Sequence, residues 1–255
     1  MTLCVAIEAK DAIVLAADSR GLFGDPSMPT TANDTFLKIQ PFIPGAGLAI
    51  AGSAEFANTI LDMVRESIAE KTETLFQCGK ALGLYDAINI LRDTAVSQYN
   101  TWFGPQVPFP NRPPLIFTVC GFSNGSPHLY TMMSMMNYAT GRTSAGFVAI
   151  GVGMLAIYIL NRFYQKDISC DAAARLAYYV TEETASQDGK VGGPIRIGLV
   201  RPDQDMVLVD VEKLAEIESA MVSFRESARS HFLGGEAKRH DLEVYHEEAS
   251  KRIRH

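Results

Sequence analysis

Cysteine is scarce and scattered in this chain: Cys4, Cys78, Cys120 and Cys170 form no C-x-x-C and no close pair. Neither a disulfide framework nor a structural metal site is therefore expected. Cys4 and Cys120 lie in apolar, strand-like runs, where a free thiol is a common buried residue. Long hydrophobic runs are missing as well. The longest uncharged apolar stretch, Phe147 to Leu160, is too short to cross a bilayer and is expected in the core. The start has no basic segment followed by an apolar one, so no signal peptide is expected and a cytoplasmic location is. Positive charge is not in excess either: 23 Lys and Arg against 29 Asp and Glu give a formal net charge of -6. Nothing electrostatic therefore calls for nucleic acid or an anionic membrane as partner. Internal repeats are absent from the sequence.

What is present is ordinary globular composition, 255 residues with 47% apolar and 20% charged, enough for one well-buried core. Residues 2–8 and 12–18 are two Val-, Ile- and Ala-rich strands around a turn at Lys10-Asp11. Gly24-Asp25-Pro26-Ser27-Met28-Pro29 is turn chemistry and marks a loop. Strands are expected at Phe36–Phe42 and Gly47–Gly52. A helix then opens at Ser53, with Phe56, Ile60, Met63, Val64 and Ile68 on one stripe. A second helix covers about 84–101, with Ile88, Leu91, Ala95 and Tyr99 on its apolar face. Five prolines between Gly104 and Pro114 forbid a continuing helix. Leu115–Phe122 and His128–Met133 form a hairpin around Asn124-Gly125. Phe147–Ile150 is a strand, followed by a helix to about Tyr164 and another from Asp171 to about Ser186, capped by Ser169. Pro194–Arg201 and Asp205–Val209 form a late hairpin. The Met132-Met133 and Met135-Met136 run is expected to fill core or interface. From Val211 the charges alternate, as on a helix with a solvated face.

This order predicts an α+β fold, a four-layer αββα sandwich of two stacked antiparallel sheets flanked by helices. Residues 1–210 would form the domain and 211–255 a charged helical extension.

The chemistry points to the first residues. Thr2 follows Met1, so removal of Met1 would put a hydroxyl and a free α-amine on one residue. An α-amine has an unperturbed pKa near ~8 and can accept the proton of its own hydroxyl. N-terminal threonine is a recognised variant of nucleophile–base catalysis.

Thr2, the apolar strand behind it, Val14-Leu15-Ala16-Ala17-Asp18-Ser19-Arg20, a Lys before an apolar residue and a short strand ending in Ala51-Gly52 together resemble the proteasome β-subunit superfamily of N-terminal-nucleophile hydrolases, including its bacterial relatives. The match runs from Thr2 to about Val209. The resemblance implies Thr2 as nucleophile and Asp18 as the acid that orients and pairs with a lysine. That lysine is Lys38, because Gly52 lies fourteen positions on, at the superfamily's spacing, which puts the extra residues before Lys38. Its charge would lower the pKa of the amine and hydroxyl. Gly52 would supply the oxyanion N–H, and Asp188 matches a further acid. Gly21, Ile50, Ala54 and Asn58 would line the first specificity pocket, with Ile50 at its base, for a Leu-like or aromatic side chain. Taken singly, each residue has a plainer explanation: Asp18 as a strand-end cap, Lys38 as a solvated strand residue, Gly52 as a turn before the helix.

Two positions depart from the pattern. The superfamily's Gly-Ser-Gly is Gly151-Val152-Gly153 here, and its Asp-x-x-Ser-Gly-Gly is Asp188-Gly189-Lys190-Val191-Gly192-Gly193. Each lost hydroxyl removes a hydrogen bond of net worth about 1 kcal/mol. The expected function is a threonine peptidase or amidase acting on polypeptides without metal or cofactor, in a self-assembled ring or helical oligomer. Whether an ATPase partner serves it is not written in the sequence. The alternatives are a structural subunit that has lost the chemistry, and an N-terminal-Thr ligase that passes the acyl group to an amine.

Overall fold

The computed structural model describes residues 2–25, 28–104, 106–108 and 111–234. The chain divides into two compact units, Met1–Val211 and Glu212 onward. In the first, β1 (Leu3–Glu8), β2 (Ile13–Ala17), β10 (Phe147–Gly151), β11 (Arg196–Val200) and β12 (Val207–Leu208) form one antiparallel sheet in the order β10-β1-β2-β11-β12. A second antiparallel sheet runs β5 (Ile39–Ile43), β6 (Ala46–Gly52), β7 (Leu115–Ser123), β8 (Ser126–Met133) and β9 (Gly141–Thr143) in sequence order. β3 (Gly21–Asp25) and β4 (Met28–Asn33) pair only with each other.

The two-residue period of the strands distributes side chains between layers. Cys4, Ala6, Ile13, Leu15 and Ala17 meet Ile39, Ala49, Ala51, Cys120 and Leu129 in a core between the sheets. The alternate residues Leu48, Ile50, Phe117 and Val119 face outward, onto Ile60, Val64, Ile88, Leu91 and Tyr99 of α1 (Ala54–Gln77) and α2 (Leu84–Phe103). On the other side, α3 (Met154–Phe163) packs with α4 (Cys170–Gln187), and α4 covers β1 and β2. The result is the four-layer αββα sandwich expected from the sequence. α5 (Val211–Arg229) opens the second unit.

Local chemistry explains the boundaries. Asn124 and Gly125 both take positive φ, 51° and 72°, the geometry of a tight hairpin turn whose twist suits the flanking strands. The Ser169 hydroxyl accepts the Ala172 N–H at 3.3 Å and caps α4. α2 stops at Gly104, and Arg112 ties down the proline-rich connector by donating to the carbonyls of Gly104 (2.8 Å) and Val107 (3.1 Å).

Several expectations need correction. Turn chemistry at 24–29 predicted a loop, but the flanking residues pair across it as β3 and β4; Pro26 and Ser27 lie outside the described residues. The strand expected from Phe36 starts only at Ile39. β9, three residues long, is too short to show a period. Met63 is exposed, because the buried stripe of α1 runs through Ala57, Ile60, Leu61 and Val64, and small Ala57 hid the phase. Of the methionine run, Met132 is core, while Met135 and Met136 are exposed on the single subunit, where the expected interface role stays open to them.

Leu91→Ala, at a fully buried position on α2, should cost about 2–5 kcal/mol in chemical denaturation, whereas exposed Met63→Ala should stay within about 0.5 kcal/mol.

Candidate active site

The ends of four inner strands converge at one end of the sandwich: the start of β1 carries Thr2, the end of β2 Asp18, the start of β5 Lys38 and the end of β6 Gly52. Antiparallel pairing of β1 with β2 sets Cys4 opposite Ala17, so Leu3 falls opposite Asp18, one residue along from Thr2. Asp18 Oδ1 accepts the Leu3 N–H at 2.9 Å. Asp18 Oδ2 accepts the N–H groups of Arg20 (3.2 Å) and Gly192 (3.0 Å). Lys38 Nζ completes the set, donating to Asp18 Oδ1 at 2.8 Å and to the Arg20 carbonyl at 2.6 Å. The two side chains are 0% and 8% exposed. Lys38 is therefore no solvated strand residue.

A charge pair taken this far from water is sustained only when hydrogen bonds satisfy what remains. Four donors on one carboxylate meet that condition. Removing one partner of such a pair strands the other at a cost of about 3–5 kcal/mol.

Thr2 is buried, and its carbonyl accepts the Val152 N–H at 2.8 Å. Thr2, Lys38 and Gly52 line a cavity of about 780 Å³. All four residues expected around a specificity pocket, Gly21, Ile50, Ala54 and Asn58, line the same cavity. A lysine charge in this wall favours deprotonation of any acidic group beside it. Gly52 has φ +115°, and a Cβ there would collide with the Pro114 carbonyl, so the close approach of the β6 end to the Pro114–Leu115 backbone depends on glycine.

Asp188 stands apart. It does not line the cavity; its Oδ1 accepts the Lys190 N–H at 2.9 Å at the end of α4. The loop it opens reaches the site through the Gly192 N–H instead. Val191 in that loop is 1% exposed, and its N–H donates to the Asp188 carbonyl at 2.9 Å. Val152 keeps a backbone bond to Thr2 and offers no hydroxyl.

Sequence reasoning missed the surroundings of Arg20. Its guanidinium makes a bidentate pair with Asp34, Nε to Oδ1 at 3.0 Å and Nη2 to Oδ2 at 3.1 Å, and Nη1 donates to the Gly189 carbonyl at 3.1 Å. This bonding raises the Arg20 pKa and holds the Asp34 carboxyl below the usual carboxylate range. Nothing in residue type or spacing distinguishes Asp34 from a loop aspartate. Behind the site, burial pushes the Cys4 thiol up to about 12, and its Sγ donates to the Ile50 carbonyl at 3.3 Å, so it is protonated at neutral pH. Among the described residues no His, Cys, Asp and Glu cluster is arranged to hold a metal ion, and no helix is long and apolar enough to cross a membrane.

Residues 2–200 match the protein family described as "Proteasome subunit". A proteasome subunit beta 2 of Thermococcus onnurineus is 28% identical over 192 residues, covering 75% of this chain and 85% of the relative. Another proteasome subunit beta 2, from Nitrosopumilus maritimus, is 25% identical over 233 residues, covering 85% and 94%. Among solved structures, a Gly-1 mutant of Anbu from Hyphomicrobium sp. strain MC1 superposes with a TM-score of 0.67 at 22% identity, covering 90% of this chain and 97% of that one, which speaks to the fold.

The lowered Asp34 pKa sets a pH dependence. Its stabilising contribution is complete above the ordinary carboxylate pKa of ~3.9 and is lost as pH falls through the lower folded value. Thermal midpoints of the parent and Asp34→Asn should therefore differ at neutral pH and converge as acid protonates Asp34.

Proposed function

Because the chain belongs to the proteasome subunit family, we propose that it is a threonine peptidase whose nucleophile is Thr2, freed by removal of Met1. The observation that carries this reading is the Lys38 ammonium, buried against Asp18, in the wall of the cavity that Thr2 lines.

In the proposed reaction Thr2 Oγ attacks the amide carbonyl of a polypeptide while the Thr2 α-amine takes the hydroxyl proton. Lys38 stabilises the developing alkoxide by its charge, and Asp18 holds Lys38 in place. The oxyanion is received by the Gly52 N–H. The amine then returns its proton to the leaving nitrogen, giving an acyl ester on Thr2. Water adds to that ester and releases the acid. The substrate side chain enters the wall formed by Gly21, Ile50, Ala54 and Asn58, which favours an apolar group of Leu or aromatic size. Asp188 would act by shaping the loop that delivers Gly192, not by touching substrate. Residues 1–210 carry this chemistry, residues 211–255 extend it, and the subunits work as a cytoplasmic homo-oligomer.

One observation favours a second reading. Val191, almost fully buried, stands where active relatives of the resemblance carry a serine, and Val152 replaces another. A structural subunit that retains the fold without turnover would tolerate both.

Intact mass before and after a peptide epoxyketone separates the two. The reagent closes a ring on both the hydroxyl and the amine of an N-terminal threonine. Loss of Met1 and one adduct on Thr2, slowed at least about 10²-fold by Lys38→Ala, is the expected result. A chain that keeps Met1, or loses it and never reacts, supports the structural subunit.

A further inference from the structure

We propose that Asp34 is a positioning residue for the Thr2 centre, acting through the Arg20 guanidinium to fix the peptide groups that hold the Asp18–Lys38 pair; this rests on the reading of Thr2 as nucleophile. Asp34 touches neither Thr2 nor Lys38 by any hydrogen bond and does not line the cavity. Its hydrogen bonds run to one residue, Arg20, and its charge also reaches Lys38.

Arg20 meets the charged pair on both sides with its backbone. Its N–H donates to Asp18 Oδ2 at 3.2 Å, and its carbonyl accepts Lys38 Nζ at 2.6 Å. Its side chain meets the 188–193 loop. A Cβ built on Gly192 would lie 2.6 Å from Arg20 Cζ, so the guanidinium rests directly on that peptide. Gly193, at φ +72°, leaves its Cβ space to Asp34 Cβ, 2.7 Å from where the atom would stand. Two consecutive glycines thus lie against the ion pair. The Gly192 peptide is the one that donates to Asp18 Oδ2 and accepts the Ser19 N–H at 3.0 Å.

Exposed ion pairs usually contribute little, and these side chains are 28% and 39% exposed. Three features set this one apart: bidentate geometry, a third guanidinium bond to the Gly189 carbonyl, and the glycine seat. Its place in the chain adds a fourth. Arg20 precedes β3 and Asp34 follows β4, with Gly21 opposite Asn33, so the pair closes the base of the hairpin where it leaves the sandwich. Without Asp34 the guanidinium loses the partner that presses it onto Gly192, and the Asp18 carboxylate loses a fixed donor.

The simpler possibility is a staple that steadies the hairpin and does nothing for Lys38. Acetylation of lysine amines by an N-hydroxysuccinimide acetate, followed residue by residue by mass spectrometry, decides between them. In Asp34→Asn, Lys38 should be modified about tenfold faster than in the parent, with exposed Lys10 and Lys71 unchanged as references. Asp34→Glu, which keeps the carboxylate, should lie closer to the parent. Arg20→Lys keeps both backbone contacts and the Asp34 charge, which by itself acts on Lys38, but cannot bind bidentately, so it should repeat the Asp34→Asn result. The epoxyketone rate at Thr2 should fall about tenfold in parallel. Equal Lys38 reactivity in parent and variants overturns the proposal. A parent protein that takes no epoxyketone overturns the nucleophile reading alone, and Lys38 protection still decides the role of Asp34.

Discussion

An ammonium and a carboxylate withdrawn from water together must find a partner for every proton and lone pair that faces inward, and in this protein that requirement organises the centre of the molecule. Asp18 is met by N–H groups from β1, from its own strand end and from the loop after α4, and by Lys38 from the other sheet. Each donor is backbone except one. The two sheets are therefore locked in register at this end by an electrostatic demand as well as by the apolar core between them. The αββα layering gives the demand its scaffold: small residues such as Ala6, Ala17, Ala49 and Ala51 let the sheets close, so that a lysine from one reaches a carboxylate on the other.

Around that pair the backbone carries more of the shape than the side chains do. Gly52 lets the end of β6 lie against the Pro114 backbone by leaving out a Cβ, and Gly192 offers its backbone to Asp18 on one side and to Arg20 on the other. The family's fold and the Asp18–Lys38 pair coexist here with valines at 152 and 191. Val191 is absorbed into the interior, and Val152 still binds the Thr2 carbonyl through its N–H. The main-chain frame around Thr2 and Asp18 is thus complete with valine at both positions.

Much of this was legible in the sequence because local chemistry and tertiary context agree. The apolar face of α2, the cap at Ser169 and the turn at Asn124-Gly125 each follow from residue type at a fixed spacing. Lys38 was found by its distance to Gly52, although only the structure shows it buried. The β3–β4 hairpin was hidden because Gly and Pro mark where a chain turns and not whether its arms then pair. The Met63 misplacement came from weighting bulk over phase. Arg20 with Asp34, and Gly192 with Asp18, could not be read at all, since these contacts join residues by geometry that no local pattern encodes.

Beyond the local Arg20 N–H, the bonds that hold Asp18 join residues 15, 20 and 174 positions away along the chain. The first two can form once the N-terminal strands meet; the third needs β11 docked beside β2 and the whole intervening chain already in place. Contacts of such long sequence separation are slow to form, because loop-closure entropy is spent before they return anything. The charged centre is consequently among the last parts of the molecule to be completed. A nascent or half-folded chain carries these residues without their arrangement, so the charged centre arrives only with the finished sandwich.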